Sequence, residues 1–85
     1  MFTEFKEEQI ITIDLHHHTV DDAKQKLQLV MAIAPSEIRE VVVIHGYRRG
    51  TAIRDMVRQD FKNSRISRKY ISLNLGITSL ILQYN

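Results

Sequence analysis

The sequence predicts an α/β fold: a two-layer β-α-β-α-β-β sandwich in which a four-stranded mixed sheet carries two helices. Three observations predict it. Two apolar runs with strand character end in histidine, at Leu15-His16 and Val43-Ile44-His45. Each is followed by a stretch with helical spacing, and two further alternating runs close the chain around Gly76. A strand–helix–strand crossover is right-handed in nearly all cases, and two crossovers progressing in one direction place both helices on the same face.

The first strand spans Gln9 to Leu15. Ile11, Ile13 and Leu15 share one face, while Thr12, Asp14 and His16 share the other, away from the core. Thr19 is positioned to cap the first helix, with Asp22 three residues on as a capping-box partner. Val20, Ala23, Leu27, Val30 and Ala34 recur at helical spacing with Met31 beside them, and Pro35 stops the helix. Val41-Val42-Val43-Ile44 is a continuous apolar run, as expected of a central strand. The segment His45–Gly50 is a turn, and a second helix is expected from Thr51 to Asn63 with Ile53, Met56, Val57 and Phe61 inward. The third strand is expected over Ile66–Leu75, with Ile71, Leu73 and Leu75 on one face. The fourth covers Thr78–Tyr84, with Leu80 and Leu82 on one face.

At 85 residues the chain is one domain, burying about two-thirds of the surface it exposes when unfolded. A site in so small a core is a surface cleft. We expect residues 1–8 to be a short solvated tail and residues 9–85 the domain. Without cysteine there is no disulfide framework and no thiolate metal site. The first residues lack the basic-then-apolar pattern of a signal peptide. No apolar run approaches the roughly twenty residues that span a bilayer. The expected setting is cytoplasmic, with no membrane partner.

Charge is unevenly spread. Residues 1–47 carry four Lys/Arg against eight Asp/Glu, net −4, and residues 48–85 carry eight against two, net +6. Such asymmetry points to a polyanion-facing surface. Arg54, Arg58 and Lys62 recur every four residues and suggest a basic stripe along the second helix, extended by Arg65, Arg68 and Lys69. The plain alternative is a solvated helix face.

The candidate site lies where the two histidine-ended strands stop. In open α/β sheets, ligands bind beyond the carboxyl ends of the strands. Parallel neighbours lie roughly 4.8 Å apart, which brings His16 and His45 to one edge. Asp14 and His16, two apart, point the same way, so the carboxylate can orient the imidazole, a group suited to proton transfer near neutral pH. The run His16-His17-His18 does not read as a metal set, because consecutive strand residues alternate faces and no partner stands at ligand spacing. The segment His45-Gly46-Tyr47-Arg48-Arg49-Gly50 suits an anion: the glycines permit close backbone approach, free helix amides point outward, and the two arginines match phosphate oxygens. Tyr47 is placed to stack on a base. The segment is no Walker loop, since it lacks the Gly-Lys-Ser/Thr ending.

Three stretches resemble the motifs of Smr domains, the small MutS-related domains. Ile13-Asp14-Leu15-His16-His17-His18-Thr19-Val20-Asp21-Asp22-Ala23 resembles the family's Leu-Asp-Leu-His-Gly-x-Thr-Val-Glu-Glu-Ala signature. His45–Arg54 is similar to its His-Gly-x-Gly motif and following helix, and Asn74–Thr78 to its Gly-Val-Thr element. The resemblance covers roughly residues 9 to 84. It implies a fold similar to the C-terminal domain of translation initiation factor three, nucleic-acid binding and, in some members, endonuclease activity on DNA or RNA. It also implies links to DNA repair, recombination or the ribosome. Two positions depart from the pattern: His17 stands where the family has glycine, and Arg48 replaces the second glycine of the turn, with Gly50 displaced.

The leading expectation is a nucleic-acid-binding domain of this type with phosphodiester cleavage activity. Asp14, His16 and His45 are the catalytic candidates. Gly46, Tyr47, Arg48, Arg49, Gly50, Arg54, Arg58 and Lys62 are the phosphate or nucleic-acid contacts. A DNA substrate suits a divalent ion, Mg or Mn, as cofactor; with RNA the 2′-hydroxyl can attack without one. The alternative is a non-catalytic module that binds nucleic acid or a ribosome-associated assembly. The sheet face opposite the helices also suits a homodimer.

Overall fold

The sheet is ordered β1-β2-β4-β3, with β1 (Ile10–Asp14) parallel to β2 (Glu40–Ile44). Strand β4 (Ile77–Leu82) runs antiparallel to β2 on one side and to β3 (Ile66–Ile71) on the other. This computed structural model describes residues 5–48 and 50–83. The mixed sheet with two helices agrees with the architecture read from the sequence.

Helix α1 (Val20–Ile33) starts where expected, because the Thr19 hydroxyl accepts a hydrogen bond from the Asp22 amide at 3.2 Å. It ends at Ala34, whose extended backbone (φ −61°, ψ 131°) is what a following proline demands. Helix α2 (Ala52–Asp55) passes directly into a wider π turn over Met56–Asp60, closed by the Phe61 amide on the Met56 carbonyl at 2.7 Å. The helical segment therefore stops before Phe61, short of the expected Asn63.

Both helices pack on one sheet face. Ala23, Leu27 and Met31 of α1 and Met56, Val57 and Phe61 meet Leu15, Val41, Val43, Leu80 and Leu82 from the sheet, all buried. Burying side chains of this size contributes about 1.5–3 kcal/mol each. The alternation of β1, β2 and β4 is as expected. Central β2 separates Val41 and Val43, in the core, from Val42 and Ile44, half-buried on the other face.

Two further expectations need correction. Strand β3 ends at Ile71, not Leu75, and Leu73 is fully exposed. The Ser72 hydroxyl accepts from the Asn74 amide, and the Asn74 side chain accepts from the Gly76 amide. These local bonds turn the backbone away from the ladder. Near the start of the chain Lys6, Glu7 and Glu8 are exposed, Glu7–Gln9 form a 3-10 turn, and the Arg39 guanidinium lies 5.2 Å from the centre of the Phe5 ring; residues 1–4 of the expected tail lie outside the described residues.

The second of these concerns charge. Arg65 donates to the carbonyls of Met31 and Ala34, both at 2.8 Å, and of Pro35 at 3.1 Å, closing the C-terminus of α1. Lys69 donates to the carbonyls of Phe61 at 2.6 Å and Arg58 at 3.3 Å at the end of the π turn. Burial lowers its pKa, followed by repulsion from Lys62. Cations satisfy free carbonyls at helix ends and complement the dipole. Two members of the expected basic face are thus internal fasteners.

Candidate nucleic-acid interface

Three loops meet at the carboxyl edge of the parallel strands and enclose a groove of about 820 Å³. The β1–α1 loop supplies His16, His17, His18 and Thr19; the β2–α2 loop supplies His45, Gly46, Tyr47, Arg48 and Gly50; the β3–β4 turn supplies Asn74 and Gly76. The turns are clamped together. The His45 and Gly46 amides both donate to the Gly76 carbonyl, at 2.9 and 3.1 Å, and the Leu15 amide donates to the Ile44 carbonyl at 2.7 Å. His16 and His45 are on one rim, as their positions at the ends of β1 and β2 imply.

Gly46 makes the closest approach. Its φ of +72° lies in the left-handed region, and a Cβ there would stand 3.2 Å from the His16 Cβ. Gly50 has φ +114°, a conformation nearly restricted to glycine, with open space beside it. The glycines therefore let the turn reverse beside His16.

The Asp14 carboxylate accepts from both the His16 ring Nδ1 and the His16 backbone amide, the latter at 3.1 Å. These bonds, the ring first and the amide second, hold the Asp14 carboxyl below its ordinary value. With the carboxylate on Nδ1, the neutral form of the ring carries its proton there and its lone pair on Nε2. The His16 side chain is 41% exposed.

His45 is built differently. It is 4% exposed, and both ring nitrogens are engaged: Nδ1 with the Gly46 carbonyl and Nε2 with the Thr78 hydroxyl, each at 2.8 Å. Arg58 Nε donates to the same hydroxyl at 2.7 Å, and a terminal guanidinium nitrogen donates to the Ile77 carbonyl at 3.2 Å. One order of protons satisfies all of these contacts. Arg58 donates to Thr78, Thr78 donates to Nε2, and Nδ1–H donates to Gly46, so the ring is neutral. Burial lowers the His45 pKa, as do the Arg58 and Arg54 charges, against the hydrogen bond to Gly46. Burial is likewise the main cause of the lowered Arg58 pKa.

The basic stripe expected from Arg54, Arg58 and Lys62 is not formed. Arg58 turns inward to β4. Arg54 makes a two-nitrogen contact with Asp55, at 3.0 and 3.1 Å, and Asp55 also accepts from Thr51. Those bonds, Arg54 first, lower the Asp55 pKa. Lys62 lies beyond the helical segment, beside a separate small depression with Arg68 and Lys69. The π turn breaks the fourfold spacing on which the stripe depended. Arg48 and Tyr47 do line the groove, with the Arg48 guanidinium 5.9 Å from the centre of the Tyr47 ring. Arg49 lies outside the described residues.

Sequence reasoning gave Thr78 no role beyond its place in a motif. A signal was present: its alternation with Leu80 and Leu82 puts a hydroxyl on the core face, where it needs a partner. The groove's apolar floor, from Val20, Ile44, Ile53 and Ile77, was also missed. Among the described residues, no three His, Cys, Asp or Glu side chains gather as a metal-ligand set. No helix among them is long and apolar enough to cross a membrane.

A family model of the Smr domain matches residues 13–73, which include the β1–α1 and β2–α2 loops of the groove and stop just before the β3–β4 turn residues Asn74 and Gly76. The chain belongs to the Smr domain family, whose members bind nucleic acid and are associated with endonuclease activity. The fold is similar to the crystal structure of the Smr domain of Thermus thermophilus MutS2, with a TM-score of 0.58 and 23% sequence identity, covering 86% of this chain and 98% of that one. No curated protein matches the sequence.

Proposed function

We propose that this domain binds nucleic acid through the groove at the carboxyl edge of β1 and β2 and cleaves a phosphodiester there. The observation that carries the reading is His16, oriented by Asp14 and standing against Gly46 at the mouth of that groove. Arg48 supplies the positive charge nearest the turn, with Arg49 its neighbour in sequence. The helical part of α2 is short, so its dipole adds little, and the arginines and the backbone of the turn carry most of the attraction.

With RNA, His16 Nε2 takes the proton of a 2′-hydroxyl. The 2′-oxygen attacks the adjacent phosphorus, and the 5′-oxygen of the next nucleotide leaves with a proton from solvent. Acid–base help of this kind contributes about 10²–10⁴-fold. His45, with both nitrogens held, acts as the clamp that positions the turn. A DNA substrate suits a divalent ion, Mg or Mn, in the same groove. The reading places the domain in the cytoplasm, with RNA or DNA, free or in a ribosome-associated assembly, as partner.

A nuclease assay on RNA and DNA with Asp14→Ala and His16→Ala tests the proposal. Loss of cleavage in both is expected. Undiminished cleavage in both removes the catalytic role, and retained binding without any wild-type cleavage leaves a binding module.

A further inference from the structure

The groove is far larger than a phosphate needs. At about 820 Å³ it falls among sites that seat whole small molecules, roughly 300–1,000 Å³. Its floor is apolar, built from Val20, Ile44, Ile53 and Ile77, and Tyr47 stands at the rim 40% exposed. An anion alone has no use for such a surface, because apolar area attracts only what gains by leaving water. His18, in the same wall, holds a buried Nδ1 with no hydrogen-bond partner among the described residues. Asn74 commits its side-chain oxygen to the Gly76 amide, which turns its amide nitrogen into the available polar group.

We propose that the groove seats one unpaired nucleobase beside the phosphate, so that the ligand is a single-stranded or bulged strand and not an uninterrupted duplex. In a continuous duplex the bases are stacked inside and a surface groove meets mainly phosphate and sugar. A splayed base offers a flat apolar face to Tyr47 and Ile53 and a polar edge to the Asn74 amide nitrogen. Every base has such a face, so stacking of this kind tolerates sequence. The inference rests on the groove being the nucleic-acid site and adds which form of strand it takes.

Fluorescence anisotropy with the full chain tests it, at one salt concentration, each probe made as RNA and as DNA. The probes are a single strand, its blunt duplex, the same duplex with a one-nucleotide bulge, and that bulge made abasic. The single strand and the bulge are expected to bind at least about 5-fold tighter than the blunt duplex, as one stacked base implies. The abasic bulge and Tyr47→Ala should each remove that gain, whereas Arg48→Ala should weaken all four probes. Equal binding of the blunt duplex, or a gain that survives both base removal and Tyr47→Ala, overturns the inference. If Arg48→Ala still weakens every probe in that case, the groove remains the phosphate site. If no probe responds to Arg48→Ala, the proposed site fails as well.

Discussion

His16 and His45 end neighbouring parallel strands, yet they live in opposite environments. His16 is 41% exposed, and the Asp14 carboxylate holds its Nδ1 alone. His45 is 4% exposed, with its nitrogens held by Gly46 and Thr78. Strand alternation accounts for the difference. His45 continues the inward series Val41, Val43, whereas His16 follows the outward series Thr12, Asp14 and sits in a turn. One rim thus carries a ring suited to chemistry and another suited to bracing, and residue type alone does not tell them apart.

The largest expected contrast is in activity. His16→Ala should lower cleavage by about 10²–10⁴-fold while leaving stability within about 0.5 kcal/mol. Single-turnover cleavage and urea titration of the same preparation separate the two. A His16 variant that unfolds would erase the distinction between the rings.

Thr78→Val should show the reverse pattern. It keeps the shape of a fully buried side chain but strands His45 Nε2 and Arg58 Nε. Leaving buried polar groups unpaired costs about 1–3 kcal/mol, or several degrees of Tm at about 4–8 °C per kcal/mol in a domain this size. Differential scanning calorimetry reads the shift, and an unchanged Tm would show that the Arg58–Thr78–His45 chain braces nothing.

Arg48→Ala should weaken binding across sequences and reduce the slope of log K against log salt by about 1. Arg58→Ala should lower Tm and leave that slope unchanged, since its guanidinium is committed to β4. Equal slopes for the two variants would place both arginines on the ligand.

The smallest effect is in the pH dependence of stability. The folded His45 pKa lies below its ordinary value of about 6.5, so the unfolded chain binds the extra proton first on acidification. The stabilisation is complete above about pH 6.5 and falls as pH drops below it. Asp14 and Asp55, with lowered carboxyl values, lose their contributions only in more acid solution, below about pH 4. The urea midpoint of the wild type should therefore be lower at about pH 5 than at about pH 7.5.

Much of this was legible in the sequence because it is local. The Thr19 cap, the Pro35 stop, the apolar β2 run and the glycine turn each follow from residues within a few positions of one another. What was not legible depends on partners far along the chain. Arg58, Arg65 and Lys69 look like surface charge until Thr78, the α1 carbonyls and the Phe61 carbonyl are brought to them. The end of β3 was misjudged for a different reason: Ile71, Leu73 and Leu75 keep the period of a strand, but Ser72 and Asn74 bend the backbone with their own side chains. The role of His45 turned on whether its parity with Val41 and Val43 outweighed its resemblance to His16 as a strand-end imidazole.

Backbone amide NMR during titration with a short single-stranded oligonucleotide tests the groove most directly. The expected shifts fall on residues 16–20, 46–53 and 74–77, the three loops at the carboxyl edge. Shifts confined to the Lys62, Arg68 and Lys69 depression, or to the open sheet face around Val42 and Ile81, would contradict it.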